Sequence, residues 1–348
     1  YIYFSIQGKR IIKNENEKAD HVLKIVIDST GIYNRNNLWK ISRSGIVLDS
    51  TSVSIDKLYI GNNDRFYQID GTLSESSADT LHLEFKGIDI APLNYLVKKK
   101  NKPDKISLSL KGILSGNVLL TNIYKNPLIE SNIKINNFSI LQSNYGDLYV
   151  ISEWNTVKKV VDIHAENNLN NMKMLDVSGY YDPLIKKIDL TAKADKLPID
   201  ALNPLLKIFA SDISGTTSGK VNLSGEMNKL ILKGALMAEN STIKIDYLQT
   251  KYKVNDSIRF DKNAIIFRNI KITDEKGNPA TLSGSVNHIY FKEYSADLTV
   301  STNDCMVLNT RPKDNNLFYG TAYATGFTTI KSAPGSLTFD ISAKTGKN

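Results

Sequence analysis

The chain has 348 residues, 41% of them hydrophobic and 23% charged. That balance excludes a disordered tail, and apolar runs as short as residues 264–267 exclude a spanning helix, which needs roughly 20 apolar residues in succession. The net charge of +8 admits an anionic partner. The lysines are scattered, however, and no aromatic and basic residues interleave as on a single-strand platform, so nucleic acid is not expected.

From the start the chain reads as strands. Ile2, Phe4 and Ile6 alternate with Tyr3 and Ser5; Leu81, Leu83 and Phe85 alternate with His82 and Glu84. This period of two sends apolar side chains to one face and polar ones to the other. Asn34-Arg-Asn-Asn37 and Gly61-Asn-Asn-Asp64 supply turn chemistry between runs. A first break follows: Leu93, Leu96 and Val97 fall at helical spacing and predict a short amphipathic helix over 93–97. Strands resume at Ile106, and the cleanest alternation is Ile188-Asp-Leu-Thr-Ala-Lys-Ala194. The second break, 197–209, places Asn203 as N-cap and Pro204 at the first helical position, with Leu205, Leu206 and Phe209 as the apolar stripe of a second short helix.

The two breaks are related. Ile90-Ala-Pro-Leu-Asn-Tyr-Leu-Val97 matches Ile199-Asp-Ala-Leu-Asn-Pro-Leu-Leu206 at an offset of 109 residues, and Gly112-Ile-Leu-Ser-Gly116 matches Gly215-Thr-Thr-Ser-Gly219 at 103. Self-similarity at long period points to modules stacked end to end. The divisions expected are 1–87, an N-terminal β region; 88–196, a middle β module; and 197–348, a C-terminal β module. About 25 strands in one series exceed a single sandwich, and as one sheet they would extend on the order of 120 Å. Asp274-Glu-Lys-Gly-Asn278 reads as a hairpin turn with Gly277 at positive φ.

No catalytic chemistry is visible. His21, His82, His164 and His288 lie far apart, with no second ligand at metal spacing, and read as surface or strand-face histidines. Cys305 has no signature around it and reads as a strand cysteine, and as the one cysteine it excludes an internal disulfide. Asp274 and Glu275, adjacent in a turn, are expected to point apart. The nucleophile-elbow, phosphate-loop and dinucleotide patterns are all absent. No enzyme activity, metal or cofactor is therefore expected.

Ordered along the last third are Gly215-Thr-Thr-Ser-Gly219, Tyr247-Leu-Gln-Thr-Lys-Tyr252, Asp274-Glu-Lys-Gly-Asn278, Leu282-Ser-Gly284, His288 and Phe318-Tyr-Gly-Thr-Ala-Tyr-Ala-Thr-Gly326. As a set they resemble the C-terminal conserved region of the TamB family of translocation and assembly module proteins, a branch of the AsmA-like envelope proteins. The resemblance implies an all-β fold: an elongated curved sheet, or β-taco, forming an open groove, which here would carry the two short helices. It implies a periplasmic protein of the bacterial envelope whose inner-membrane anchor lies outside this sequence, which begins at Tyr1 and reads as a fragment. It also implies phospholipid acyl chains as cargo between inner and outer membranes, and an Omp85-class, TamA-like outer-membrane barrel as partner in assembling outer-membrane proteins. Alternation groups Ile243, Ile245, Tyr247, Phe260, Phe267, Ile270, Ile272, Leu298, Val300, Phe339 and Ile341 by face, and leaves open whether that face is a lumen or a sealed core. The resemblance implies the lumen. The rival expectations are an extracellular structural or adhesive β-solenoid binding glycan or protein and, more remotely, a β-helical polysaccharide enzyme.

Overall fold

The structure is a computed structural model, described over residues 4–11, 20–34, 37–62, 64–94, 109–141, 143–200, 203, 210–314 and 319–346. Strand makes up 76% of it and helix 1%, so the all-β expectation holds and the two short helices are not supported. Helical backbone appears at Leu93, Asn94, Asn203 and, as a 3₁₀ residue, Asp200 alone among the described residues; Leu96, Val97, Leu205, Leu206 and Phe209 lie outside them.

Twenty-three strands follow one another: β1 (Phe4–Ile11), β2 (Asp20–Ile27), β3 (Thr30–Asn34), β4 (Asn37–Ile41), β5 (Ser44–Leu48), β6 (Val53–Gly61), β7 (Phe66–Leu73), β8 (Thr80–Asp89), β9 (Leu110–Thr121), β10 (Leu128–Ile140), β11 (Ser143–Asn155) and β12 (Val160–Asn168). Then come β13 (Leu175–Asp182), β14 (Lys187–Pro198), β15 (Ala210–Glu226), β16 (Ile231–Ile245), β17 (Thr250–Val254), β18 (Ser257–Asp261), β19 (Ala264–Asp274), β20 (Pro279–Ile289), β21 (Lys292–Thr310), β22 (Gly320–Ala333) and β23 (Ser336–Thr345). All join one antiparallel sheet. The pairs β2/β3, β4/β5 and β17/β18 are each a single strand broken once, since both halves lie on the same neighbour. Twenty-three strands less three breaks leave twenty rungs, each paired with its neighbours in sequence, or about 90 Å along the sheet at ~4.8 Å per rung. The chain exposes 21979 Å², against about 14,000 Å² for a compact protein of its mass. The difference is that of an open sheet with little folded against it.

The strands are not smooth. Lys57, Asn137, Lys196, Asn269 and Asp304 stand in the left-handed region, φ between 42° and 52°, each at a slip in register. These are β-bulges, and each frees one N–H from the ladder. A side chain of the next strand accepts it: Asp70 for Lys57, Asp147 for Asn137, Ser218 for Lys196, Ser283 for Asn269 and Thr325 for Asp304. The extra residue re-phases the alternation. Phe267 and Ile270, three apart, oppose Gly284 and Leu282, two apart on β20, and so share a face. Gly116 serves the opposite need. Its φ is +139°, and a Cβ there would strike the carbonyl oxygen of Asn132 on β10.

Because the chain meanders, its turns fall alternately on two rims. The first rim holds residues 122–127, 156–159, 183–186, 227–230, 262–263 and 290–291; the second holds Leu141, 169–174, 246–249 and 275–278, and β8 and β14 end at it. The internal repeat is visible where those two strands end. Asn94 donates Nδ2 to the carbonyl of Leu110 (2.9 Å) and accepts its N–H on Oδ1 (2.8 Å); Asn203 does the same with Ile213 (2.8 and 2.7 Å). Likewise the N–H of Ile90 reaches the carbonyl of Gly112, and that of Ile199 the carbonyl of Gly215.

Candidate functional site

Residues directly opposite in an antiparallel ladder share a face, so the registers can be followed from strand to strand. One row runs Ile60, Tyr67, Phe85, Gly116, Ile133, Val150, Ala165, Val177, Ala192, Val221, Gly234, Phe260, Ile265, Val286, Ala296, through β6–β16 and then β18–β21. No polar side chain interrupts it. None of these residues is fully buried: Tyr67 is exposed, and the others are half-buried. A sealed sandwich core of this length would bury most of them below a few percent.

The opposite face is polar. A parallel row there reads Lys134, Tyr149, Glu166, Asp176, Lys193, Lys220. Lys134 pairs with Asp147 at 3.1 Å, and Lys173 bridges Glu166 and Asp176. These exposed pairs contribute at most about 1 kcal/mol each; their effect is to keep that face wet.

At the second rim the apolar face ends in buried polar knots. Asn167, 1% exposed, donates to the carbonyl of Tyr145 and accepts the N–H groups of Met174 and Leu175. The Tyr145 hydroxyl donates to the carbonyl of Pro198, tying β11 to β14 across two shorter strands. The second knot has the same form. Tyr252 donates to the carbonyl of Met306 (2.9 Å), tying β17 to β21. Asp274, fully buried, accepts the N–H groups of Lys276, Asn278 and Met306 and the amide of Asn278. Burial works against its charge, but these four donors outweigh it and hold the carboxyl below the usual carboxylate range. Burial pushes the hydroxyls of Tyr145 and Tyr252 each up to about 12. Burial, with the Asp274 charge beside it, pushes the Cys305 thiol up to about 11. Asp274 is thus the keystone of a turn, with Gly277 at φ +90° as expected, while Glu275 is exposed.

His288 is buried and accepts the N–H of Phe291 on Nδ1 (3.1 Å), with the Phe291 ring stacked on it. Burial lowers its pKa, so the ring is a neutral cap on a tight turn. Among the described residues no group of three metal-ligating side chains comes together.

Of the residues singled out by alternation, Phe260, Phe267, Ile270, Ile272, Leu298 and Val300 lie on the apolar face, as do Ile243 and Ile245. Ile270, 2% exposed, is sealed within it. Phe339 and Ile341 join the same face through Ile330 and Thr328, on the largely exposed β23. Tyr247 does not join it: β16 ends at Ile245, the N–H of Leu248 returns to the carbonyl of Ile245, and Tyr247 sits exposed in the turn. The greater part of the face, from Ile60 to Val221, was not among the candidates. Its signal was the same alternation, masked by glycines such as Gly116 and Gly179 standing where an apolar residue would be.

No helix of the described residues is long and apolar enough to cross a membrane. No protein-family model, curated protein or solved structure matches this chain.

Proposed function

We propose that the apolar face is the floor of an open groove that shelters phospholipid acyl chains, in a TamB-like, periplasm-spanning envelope protein without enzymatic activity or cofactor. The supporting observation is the uninterrupted row from Ile60 to Ala296, apolar throughout and nowhere fully buried. An acyl chain gains about 0.8 kcal/mol per CH₂ withdrawn from water, so such a strip retains lipid without a headgroup site. The bulges, which bend strands and raise their twist, are the means of curving the sheet around its cargo. Carriage between inner and outer membranes, an anchor beyond this sequence and support of outer-membrane protein assembly with an Omp85-class, TamA-like barrel rest on the family resemblance.

Native mass spectrometry of the purified chain tests the reading. Bound phospholipid, displaced when Leu298→Arg sets a charge on the strip, supports it. A chain that arrives empty and takes up no lipid from vesicles removes it and favours the adhesive solenoid.

A further inference from the structure

The first rim has a composition its hairpins do not need. In the 156–159 turn Val157 is 89% exposed and is followed by Lys158 and Lys159; in the 183–186 turn Leu184 and Ile185, 64% and 60% exposed, are followed by Lys186. The two turns are built alike. Asn155 Oδ1 accepts the N–H groups of Val157 and Lys158, Asp182 Oδ1 those of Leu184 and Ile185, and Lys159 and Lys186 close the turns at φ 58° and 52°. The capping side chains turn back toward the strands, leaving the apolar groups at the tip and the lysines beside them. The pairing recurs along the rim as Tyr124 with Lys125, Met227 with Lys229, which also reaches Glu226 at 3.7 Å, and Phe291 with Lys292, while the 262–263 turn carries Lys262 without an apolar residue.

Turns on one rim are two rungs apart, about 9.6 Å, so the series from Tyr124 to Phe291 covers about 50 Å counted along the rungs. Neighbouring turns are bonded together: the N–H of Met227 to the carbonyl of Lys186, that of His288 to the carbonyl of Asn263. Earlier turns of the same rim, 49–52 and 74–79, carry neither a lysine nor a large apolar residue. On the second rim, among the described residues, Leu141 and the 246–249 turn lack lysine, Lys276 lies over the Tyr323 ring, and beside the exposed Met172, Lys173 is committed to Glu166 and Asp176; the last connection, with Arg311, Lys313 and the exposed Tyr319, is the one place with a comparable make-up.

A row of exposed apolar tips flanked by lysines, a residue type that can lay its stem along apolar surface while its ammonium reaches outward, has the chemistry of an interfacial anchor. We propose that the first rim, from Tyr124 to Phe291, docks edge-on against an anionic lipid bilayer. The apolar tips enter the headgroup boundary and the lysines meet lipid phosphates. This docking stands whether or not the apolar face carries lipid.

Flotation of the intact chain with vesicles tests it. Vesicles containing phosphatidylglycerol should bind the protein, and phosphatidylcholine vesicles much less. Lys158→Glu with Lys159→Glu, or Val157→Asp with Leu184→Asp, should lower partitioning at least about tenfold, each variant keeping its strand circular dichroism. Tyr247→Asp, on the second rim, and Leu298→Arg, on the apolar face, should leave it unchanged, which separates this docking from the groove. Equal binding to both vesicles, or folded rim variants that bind as before, overturns the proposal. Failure to bind either vesicle also overturns it and assigns the rim to a protein partner.

Discussion

Asn94 and Asn203 hold the same post in two long connections, each clasping the backbone N–H and carbonyl of one residue near the start of the strand that follows, Leu110 in β9 and Ile213 in β15. An alanine at either position leaves that backbone pair without its partner. Asn94→Ala and Asn203→Ala should each lower the local unfolding free energy by about 1–3 kcal/mol. The two losses should add, because the sites share no neighbour. Urea titrations of both single variants and the double variant measure this.

The acid limb of stability should depend on Asp274. Its carboxyl is depressed below 3.8 in the folded chain, so the unfolded chain binds the extra proton first. The stabilisation is therefore complete above 3.8 and lost as pH falls through the lower folded value. Asp49, held down to about 2 by Ser52 and Thr51, titrates in the same window. Asp274→Asn should reduce stability at neutral pH and flatten, without abolishing, the fall between about pH 4 and pH 2; thermal melts across that range read it.

Cys305 should be chemically silent in the native state. It is fully buried, and its pKa near 11 leaves almost no thiolate at neutral pH. A thiol reagent should label it only at the rate of unfolding. Rapid labelling of the folded chain would show that the knot around Tyr252 and Asp274 opens readily.

Gly116 offers a test of the backbone itself. Gly116→Ala sets a Cβ against the Asn132 carbonyl at a φ that other residues rarely adopt, and should cost about 1–3 kcal/mol. Gly45, where an added Cβ meets nothing, is the control.

The apolar face itself can be read by photo-crosslinking of lipid in cells. Probes at Ile245 and Leu298 should capture lipid and a probe at Lys244, on the polar face, should not. Ile245→Asp should block the path while Lys244→Glu leaves it open. Equal capture on both faces removes the groove reading.

Much of the fold was legible because alternation is a local property. The run from Ile188 to Ala194 could be assigned from seven residues, and the Gly277 turn from five. The match of Ile90 to Ile199 was legible because both connections needed the same asparagine. What local pattern could not give was the phase across a bulge. Phe267 and Ile270 belong to separate runs, Ile265–Phe267 and Ile270–Ile272, which alternation within each run does not phase against each other; they share a face across the bulge at Asn269, whose N–H is accepted by Ser283 on another strand. Tyr247 was carried along with Ile243 and Ile245 because nothing in its own neighbourhood marks the end of β16. The helical spacing of Leu93, Leu96 and Val97 gave no supported helix: after Leu93 and Asn94 the expected segment passes outside the described residues.

The strict neighbour-to-neighbour order of the strands also makes length a modular quantity. Each hairpin adds about 9.6 Å and returns the chain to the rim it left. Removing β12 and β13 together would bring β11 beside β14 with their directions still antiparallel and every later turn on its original rim. Removing one strand alone would exchange the rims of everything downstream, carrying the lysine-flanked tips to the wrong side. Lineages of this architecture can therefore grow or shrink to fit the distance they cross, but only by pairs of strands.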